Sequence, residues 1–402
     1  MSRRILSRFS GHMLAVGWLQ QTFSFPVYSP GLRIMSYNPP LAARKMSMKD
    51  AGYSFEDYRE KRSTFEPTAR RLNDAAQAQQ AWPNYYSCPS LQKDLREKLS
   101  DEAEFKHSMT EANARFILVW RGKNLFKRHD NIEDFLEPIF LRFAQVESLA
   151  MNEDVVKMYI GEMDSLRYFA LDVSTLELDD IAVPQGGFFE QLRTAGGILE
   201  KDDDAGLLAT ARGLSVWHRS LSFCSNCGSG NLRPDKAGSM RRCRECKSGF
   251  YPRIDPSVIV LVSSSCGKHA LLGRKAVWPT GRYSVLAGFT EVGESLEETV
   301  IREVYEESGV AVDPNSIRFF SSQSWPFPRS LMIAFTARAV EAADGKLPAI
   351  NIDENEMDDV KWFSREDIEK GLAAEQQKLS IPGRAAVAHA LIMDWMGVEK
   401  NQ

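Results

Sequence analysis

The segment GFTEVGESLEETVIREVYEESGV, Gly288 to Val310, constrains the fold most strongly, because it encodes a helix whose start, stop and buried face can all be read. Ser295 followed three residues later by Glu298 is a capping box, in which each partner satisfies the other's backbone N–H at the helix start. Gly309 marks the other end, since the left-handed turn that closes a helix costs glycine no steric strain. Between these signals Leu296, Val300, Glu303 and Glu307 fall at i, i+4, i+7 and i+11, one stripe of a helical period, and Val304 widens it. Two carboxylates thus occupy positions where core residues belong.

That pattern divides the seven glutamates of the segment. Glu297 and Glu298 project to the solvated side and need no role beyond solubility and capping. Glu303 and Glu307 face inward, and burying two unpaired carboxylates is strongly unfavourable. A hard divalent cation removes the conflict. Oxygen-only ligands with no histidine nearby favour Mg²⁺ or Mn²⁺ over zinc, and such ions habitually accompany phosphates. Glu306 can pair with Arg302 one turn back. The lead-in Leu286-Ala287-Gly288-Phe289 lets the backbone approach the acids, because Gly288 has no side chain to block it, and a carbonyl there is a further candidate ligand. Spacing reveals no role for Glu291 or Glu294.

A second feature is the pair of motifs CSNC and CREC, separated by fifteen residues. Two such turns can close a tetrahedral site of four thiolates, Cys224, Cys227, Cys243 and Cys246, which suits structural zinc; a redox C-x-x-C would need only one pair. Asn226, Gly228 and Gly249 supply turn residues around them. Arg233, Lys236, Arg241, Arg242, Arg244 and Lys247 form a local basic patch, readable as a nucleic-acid contact or as a solvated face. The chain's net charge of −4 favours the solvated face. Cys88 and Cys266 stand alone and read as ordinary buried thiols.

At 402 residues with 43% hydrophobic content, the chain can bury two or three cores. Six cysteines are too few for a disulfide-stapled secreted protein, which points to a reducing compartment. No apolar run approaches the roughly 18 residues needed to span a bilayer. The first 49 residues hold no Asp or Glu but include Arg3, Arg4, Arg8, Arg33, Arg44, Lys45 and Lys49. That composition resembles a mitochondrial or plastid transit peptide; the plainer readings are a disordered extension, or translation that starts at Met35 or Met46. The terminal Glu-Lys-Asn-Gln is not a peroxisomal tripeptide, and a cytoplasmic location is the alternative.

Between about Gly52 and Ser215 short β-like runs alternate with polar segments. RFILVWRGKNLF (Arg115 to Phe126), VVKMYIGEM (Val155 to Met163) and SLRYFALDVS (Ser165 to Ser174) read as strands. Gly186 to Ser220 reads as helical with DDDAG as a turn in its middle. This region is expected to be an α+β domain and shows no catalytic signature. PSVIVLVSS, from Pro256, then reads as a buried strand.

The acidic segment resembles the Nudix box, G-x5-E-x7-R-E-U-x-E-E-x-G-U with U aliphatic, at Gly288, Glu294, Arg302, Glu303, Val304, Glu306, Glu307, Gly309 and Val310. SQSWPFPRS, Ser322 to Ser330, is similar to the S-Q-P-W-P-F-P-x-S signature of the NADH pyrophosphatase branch, with Ser324 in place of proline. Trp217-His218, Phe223 with Cys224 to Gly228, and YPRIDP (Tyr251 to Pro256) also resemble that branch, which carries a zinc ribbon ahead of its Nudix domain. The resemblance is dense from about Trp217 to Ile392 and absent over the first fifty residues.

The resemblance implies an α/β (α+β) architecture: residues 1–50 an extension, 51–216 an N-terminal α+β domain, 217–252 a zinc ribbon, and 253–395 a Nudix α/β/α sandwich. It implies Mg²⁺ or Mn²⁺ binding by the Ala287 carbonyl, Glu303, Glu307 and Glu356, the last amid Asp353, Glu354, Asp358 and Asp359, which otherwise read as a solvated acidic loop. Arg302, Glu303, Glu306 and Glu307 are the implied catalytic set. Tyr251, Gln323, Ser324, Trp325, Pro326, Phe327, Pro328, Arg329, Ser330 and Ala388 are the implied substrate contacts, with Trp325 and Phe327 as a stiffened wall for a flat ring and Tyr251 packed near it. The implied reaction is hydrolysis of the NADH or NAD pyrophosphate to AMP and a nicotinamide mononucleotide, by a water deprotonated with help from Glu306 or Glu307. Removal of an NAD cap from RNA by the same chemistry is the alternative, a non-catalytic zinc-ribbon nucleic-acid binder is a third reading, and a homodimer is the expected assembly.

Overall fold

A computed structural model describes residues 86–128, 135–199, 201–342, 344–373 and 379–397; the extension and the first part of the expected N-terminal domain lie outside these.

The N-terminal unit is built on a sheet. Ala114–Trp120 (β1) and Lys123–Arg128 (β2) form a hairpin, Leu136–Pro138 (β3) pairs with β2, and Val156–Met163 (β4) and Leu166–Asp172 (β5) form a second hairpin. Among the described residues the order is β3-β2-β1-β5-β4, with β1 and β5 parallel and the short Phe188–Glu190 strand (β6) also on β2. Period-two alternation splits the strands between two cores. Ile117, Val119, Met158 and Ile160 meet Leu207, Leu208 and Ala211; Phe116, Leu118 and Phe169 meet Met109, Val146 and Leu149. Helices Glu102–Thr110 (α1) and Phe143–Met151 (α2) therefore cover one face. A short turn of helix at Leu192–Ala195 (α3) leads toward the long helix Asp202–Ser220 (α4), which covers the other.

Three sequence expectations need correction. Arg115 to Phe126 is two strands, because Arg121 at φ 50° and Gly122 at φ 78° form a tight turn between Trp120 and its partner Lys123. Gly186 to Ser220 begins as strand β6, and DDDAG is no mid-helix turn: it opens α4, where acids suit the positive end of the helix dipole. Cys266 is exposed and Cys88 only half-buried, so neither is an ordinary core thiol.

The cysteine module is a three-stranded ribbon of Leu232–Asp235 (β7), Met240–Cys243 (β8) and Gly249–Phe250 (β9). Its β7–β8 turn is seated on the N-terminal sheet. Tyr159 N donates to the Ala237 carbonyl at 2.8 Å, the His218 Nε2 lies 2.8 Å from the Gly238 carbonyl, and a Cβ on Gly238 would fall 2.7 Å from the Lys157 carbonyl. Only glycine fits there.

The C-terminal sheet runs Arg318–Trp325 (β13), Ser330–Arg338 (β14), Asp255–Ser263 (β10), His269–Arg274 (β11) and Asp359–Ser364 (β15), with Leu286–Phe289 (β12) also on β10. β10 is the buried strand read from PSVIVLVSS and lies parallel to β14 along its full length. One of its edges is shared: Ser257–Val260 pairs with β12, while Val262 and Ser263 pair with β11. Val258, Val260, Leu286, Ile333 and Phe335 pack under Val300 and Val304 of Leu296–Ser308 (α5). On the opposite face Ile259, Leu261 and Ala334 meet Ile368 of Arg365–Ala373 (α6) and Leu391 and Ile392 of Val387–Met396 (α7). The result is an α/β/α sandwich with α5 laid directly over β12.

Candidate active site

Helix α5 has the ends that the sequence encodes. Ser295 Oγ accepts from Glu298 N at 3.2 Å while Glu298 Oε2 accepts from Ser295 N at 2.7 Å, and Gly309 closes the helix at φ 70° with its N–H on the Tyr305 carbonyl. Glu297 and Glu298 are exposed, whereas Glu303 and Glu307 are 9% and 1% exposed.

Gly288 is what admits Glu303, since a Cβ there would lie 1.9–2.0 Å from its carboxyl atoms. Glu307 reaches one residue further, its Oε2 accepting from Ala287 N at 3.3 Å. Burial pushes the Glu307 pKa up to about 7 against the pull of the Lys275 ammonium, whose Nζ stands 3.5 Å from Oε1. Burial also raises that of Glu303, with Arg302 opposing and the charges of Glu306 and Glu356 adding to the rise. Two carboxylates are thus held in low dielectric with less positive charge than they need, a donor set that fits a hard divalent cation.

Arg302 organises the surrounding acids. It grips Glu294 through two bonds, Nε to Oε1 at 2.5 Å and Nη2 to Oε2 at 2.9 Å, and donates from Nη1 to Glu303 at 3.0 Å and Glu306 at 2.9 Å. Its Nη2 also reaches the Phe289 carbonyl at 2.9 Å, tying α5 to the end of β12. The hydrogen bond from Arg302 brings the Glu294 pKa down to about 2. Glu294 therefore orients Arg302, a role that helical spacing could not reveal because Glu294 precedes the helix.

Glu356 is exposed in a turn closed on the Asp353 carbonyl, near enough for its charge to act on Glu303. Among the described residues, however, the only group of three or more potential ligand side chains with all ligand atoms within 4.8 Å is the four cysteines, so Glu303, Glu307 and Glu356 are not drawn into one tight trio. Of the neighbouring acids, Asp358 is paired with Arg274, and Asp359 accepts from Tyr283 at 2.5 Å and pairs with Lys361 at 2.5 Å.

The four thiols do converge. Cys224 and Cys246 Sγ lie 3.5 Å apart, Cys227 and Cys243 Sγ 3.6 Å apart, close to the edge of a tetrahedron of Zn–S bonds of roughly 2.3 Å. Each pair is presented by a tight turn, with Gly228 N on the Cys224 carbonyl and Lys247 N on the Cys243 carbonyl. The basic residues nearby are largely engaged: Arg241 donates to the His218 and Leu232 carbonyls, and Arg242 pairs with Asp235 at 2.5 Å.

The expected substrate contacts separate into three groups. Gln323 is 3% exposed, donating to the Ala385 carbonyl at 2.9 Å and accepting from Val387 N at 2.8 Å, which places it against the turn of α7 that carries buried Ala388. Trp325 and Phe327 are half-buried with centroids 5.1 Å apart, Pro326 is buried between them, and Ser324 is half-buried beside them. Arg329 holds Asp255 at 3.4 Å and the Ser220 hydroxyl at 3.3 Å, Ser330 is buried, Pro328 is exposed, and Tyr251 is 65% exposed. Sequence reasoning missed Lys275, which directly follows β11 and lies well before the acids in the chain, and Tyr86, Arg193 and Arg212, which reach the aromatics from the N-terminal unit. No local pattern marks them.

A family model of the NUDIX domain matches residues 253–382, and one of the NADH pyrophosphatase-like rudimentary NUDIX domain matches residues 113–217. The human NAD(P)H pyrophosphatase NUDT13, mitochondrial, is 35% identical over 296 residues, covering 69% of this chain and 79% of that protein. The chain belongs to the Nudix family. This Nudix protein is also similar to the NAD-capped RNA hydrolase NUDT12 of Macaca fascicularis, 35% identical over 292 residues, 68% of this chain and 61% of that protein. The NAD-capped RNA hydrolase NudC of Mycobacterium tuberculosis is 32% identical over 249 residues, 60% of this chain and 76% of that protein. The Nudix chain spans about three fifths of the length of the NUDT12 relatives it matches.

Proposed function

We propose that this Nudix protein hydrolyses the pyrophosphate bond of NADH, and of NAD, to AMP and a nicotinamide mononucleotide. The observation that carries the reading is the burial of Glu303 and Glu307 against the Ala287-Gly288 backbone, where burial disfavours their charged forms. Mg²⁺ or Mn²⁺ would be held by Glu303, Glu307, the Ala287 carbonyl and Glu356, and zinc by Cys224, Cys227, Cys243 and Cys246. When bound, the divalent cation supplies charge neutralisation at the pyrophosphate.

The chain's own groups do the positioning. Arg302, fixed by Glu294, sets the direction of Glu303 and of the exposed Glu306, whose carboxylate stands free enough of the core to take a proton from a water. Glu307 is the other candidate base, and Trp325 and Phe327 would hold a ring of the dinucleotide. The supporting domain division is 1–50, 51–216, 217–252 and 253–395. Metal-dependent release of AMP from NADH, abolished by EDTA, tests the reading; no AMP release at any Mn²⁺ concentration would overturn it.

The second reading is removal of an NAD cap from RNA, favoured by what the NUDT12 and NudC relatives are named for. Parallel turnover of NADH, NAD and NAD-capped RNA separates the two. A non-catalytic nucleic-acid binder is the weakest reading, because every acid of the Nudix box is present. Homodimer assembly belongs to the same proposal and is measured by light scattering. Mitochondrial targeting is supported by the acid-free, basic residues 1–49 and by the mitochondrial name of the NUDT13 relative. Among the described residues no helix is long and apolar enough to cross a membrane. An unchanged cellular distribution after deleting residues 1–49 would remove the targeting proposal.

A further inference from the structure

The aromatic loop between β13 and β14 is held by parts of the chain distant from it in sequence, on both sides. Gln323 anchors its beginning to the segment before α7, and Arg329 anchors its end to Asp255 and Ser220. Its middle is gripped by the N-terminal unit. Tyr86, 4% exposed, meets Trp325 edge-on at 5.7 Å and Phe327 at 5.2 Å. The Arg193 guanidinium stands 5.7 Å from the Trp325 centroid and that of Arg212 stands 5.0 Å from the Phe327 centroid.

Arg212 makes the most specific contact. From the buried side of α4 it donates through Nη1 to the Pro326 carbonyl, the peptide between the two aromatics, and through Nε to the Gly122 carbonyl at 2.9 Å in the β1–β2 turn. One planar guanidinium thus links the turn of the N-terminal sheet to the centre of the loop, and its fork fixes direction as well as distance. Gly196 makes the room: a Cβ there would fall 2.6 Å from the Tyr86 hydroxyl. A seam needing only cohesion is satisfied by apolar contact. Here a charged donor is directed at one backbone carbonyl and two cations stand over ring faces, which restrict the orientation of the rings.

We propose that the N-terminal unit, otherwise without catalytic groups, fixes the aromatic loop for ring binding, with Arg212 as a positioning residue for the dinucleotide. This rests on the reading of Trp325 and Phe327 as a ring wall given above. Arg212 touches no reacting atom, so its loss weakens substrate binding and leaves the chemistry at α5 intact.

The test uses the full chain with Mn²⁺ and NADH, and compares wild type, Arg212→Lys and Arg212→Gln after each is shown to melt cooperatively. Arg212→Gln is expected to raise KM about tenfold with kcat changed less than about twofold, the scale of one charge-assisted hydrogen bond and one cation–π contact. It is also expected to speed amide hydrogen exchange across residues 324–329, with Arg212→Lys intermediate in both. If Arg212→Gln does not fold, Arg193→Gln, which removes the exposed cation over Trp325, is expected to shift KM and exchange in the same direction by a smaller factor. Unchanged exchange and unchanged KM would overturn the proposal, as would a fall in kcat at constant KM. Should the wild type fail to turn over NADH, the reading of the function fails, and the exchange comparison still decides whether Arg212 holds the loop.

Discussion

Lys275 Nζ stands 3.5 Å from Oε1 of Glu307, an ion pair in which the carboxylate is 2% exposed and the ammonium 42%. Lys275 is the positive charge that opposes the burial of Glu307, the most deeply buried acid of α5. Lys275→Met is therefore expected to have two effects of opposite sign. The metal-free protein loses about 1 kcal/mol, because the pair is half-exposed and screened on the lysine side. Mn²⁺ affinity rises about fivefold, because a competitor for Glu307 is gone. Thermal melts with and without Mn²⁺ and a calorimetric titration measure both; a fall in affinity would mean that Lys275 supports the cation site instead.

Glu307→Gln is expected to lower AMP release by about a thousandfold with little change in the melting temperature of the metal-free protein, since a neutral amide of the same shape avoids the cost of a buried charge. An active Glu307→Gln enzyme would remove Glu307 from the metal site.

Gly288→Ala tests the close approach of β12 to α5. A Cβ 1.9–2.0 Å from the Glu303 carboxyl atoms forces that side chain away, and Mn²⁺ affinity is expected to fall at least tenfold while the fold is retained. Calorimetric titration with Mn²⁺ and the circular dichroism melt distinguish displacement of one side chain from general unfolding.

His218 predicts a pH dependence. Burial pushes its pKa down to about 4 from an ordinary 6.5, while its Nε2 contacts the Gly238 carbonyl that seats the ribbon. The folded state thus binds the proton less readily than the unfolded chain. Stability from this site is fully present above about pH 6.5 and is lost as pH falls toward 4, by about 3 kcal/mol in all. Urea melts across that window show the slope, and His218→Asn is expected to flatten it.

Chelating the zinc proposed for the four-cysteine site is expected to unfold the ribbon and to release one zinc per chain, because the three short strands bury only a small core around Leu232. Cys243→Ser, which replaces a fully buried thiol, is expected to do the same; a dye assay for released metal and the melt measure it.

The ends of α5 were legible because capping and left-handed termination are local chemistry, and its buried stripe was legible because helical periodicity is. The four converging thiols were legible from spacing alone. Glu294 was not, since its partner Arg302 reaches it across the loop that precedes the helix rather than along a turn. The hairpin at Arg121-Gly122 was missed because the turn carries Arg-Gly rather than an Asn-Gly or Asp-Gly pair, with Arg121 in the left-handed region.

By itself the sequence determined a capped acidic helix, a four-thiol module and an aromatic loop, each set by interactions within some twenty residues. Tertiary structure decided what those pieces face. Pairing of β12 with β10 puts Gly288 against Glu303, the end of β11 delivers Lys275 to Glu307, and α4 carries Arg212 to Pro326. Such contacts join residues far apart in the chain, and their free energy comes from desolvation and charge in a shared interior that no local window contains.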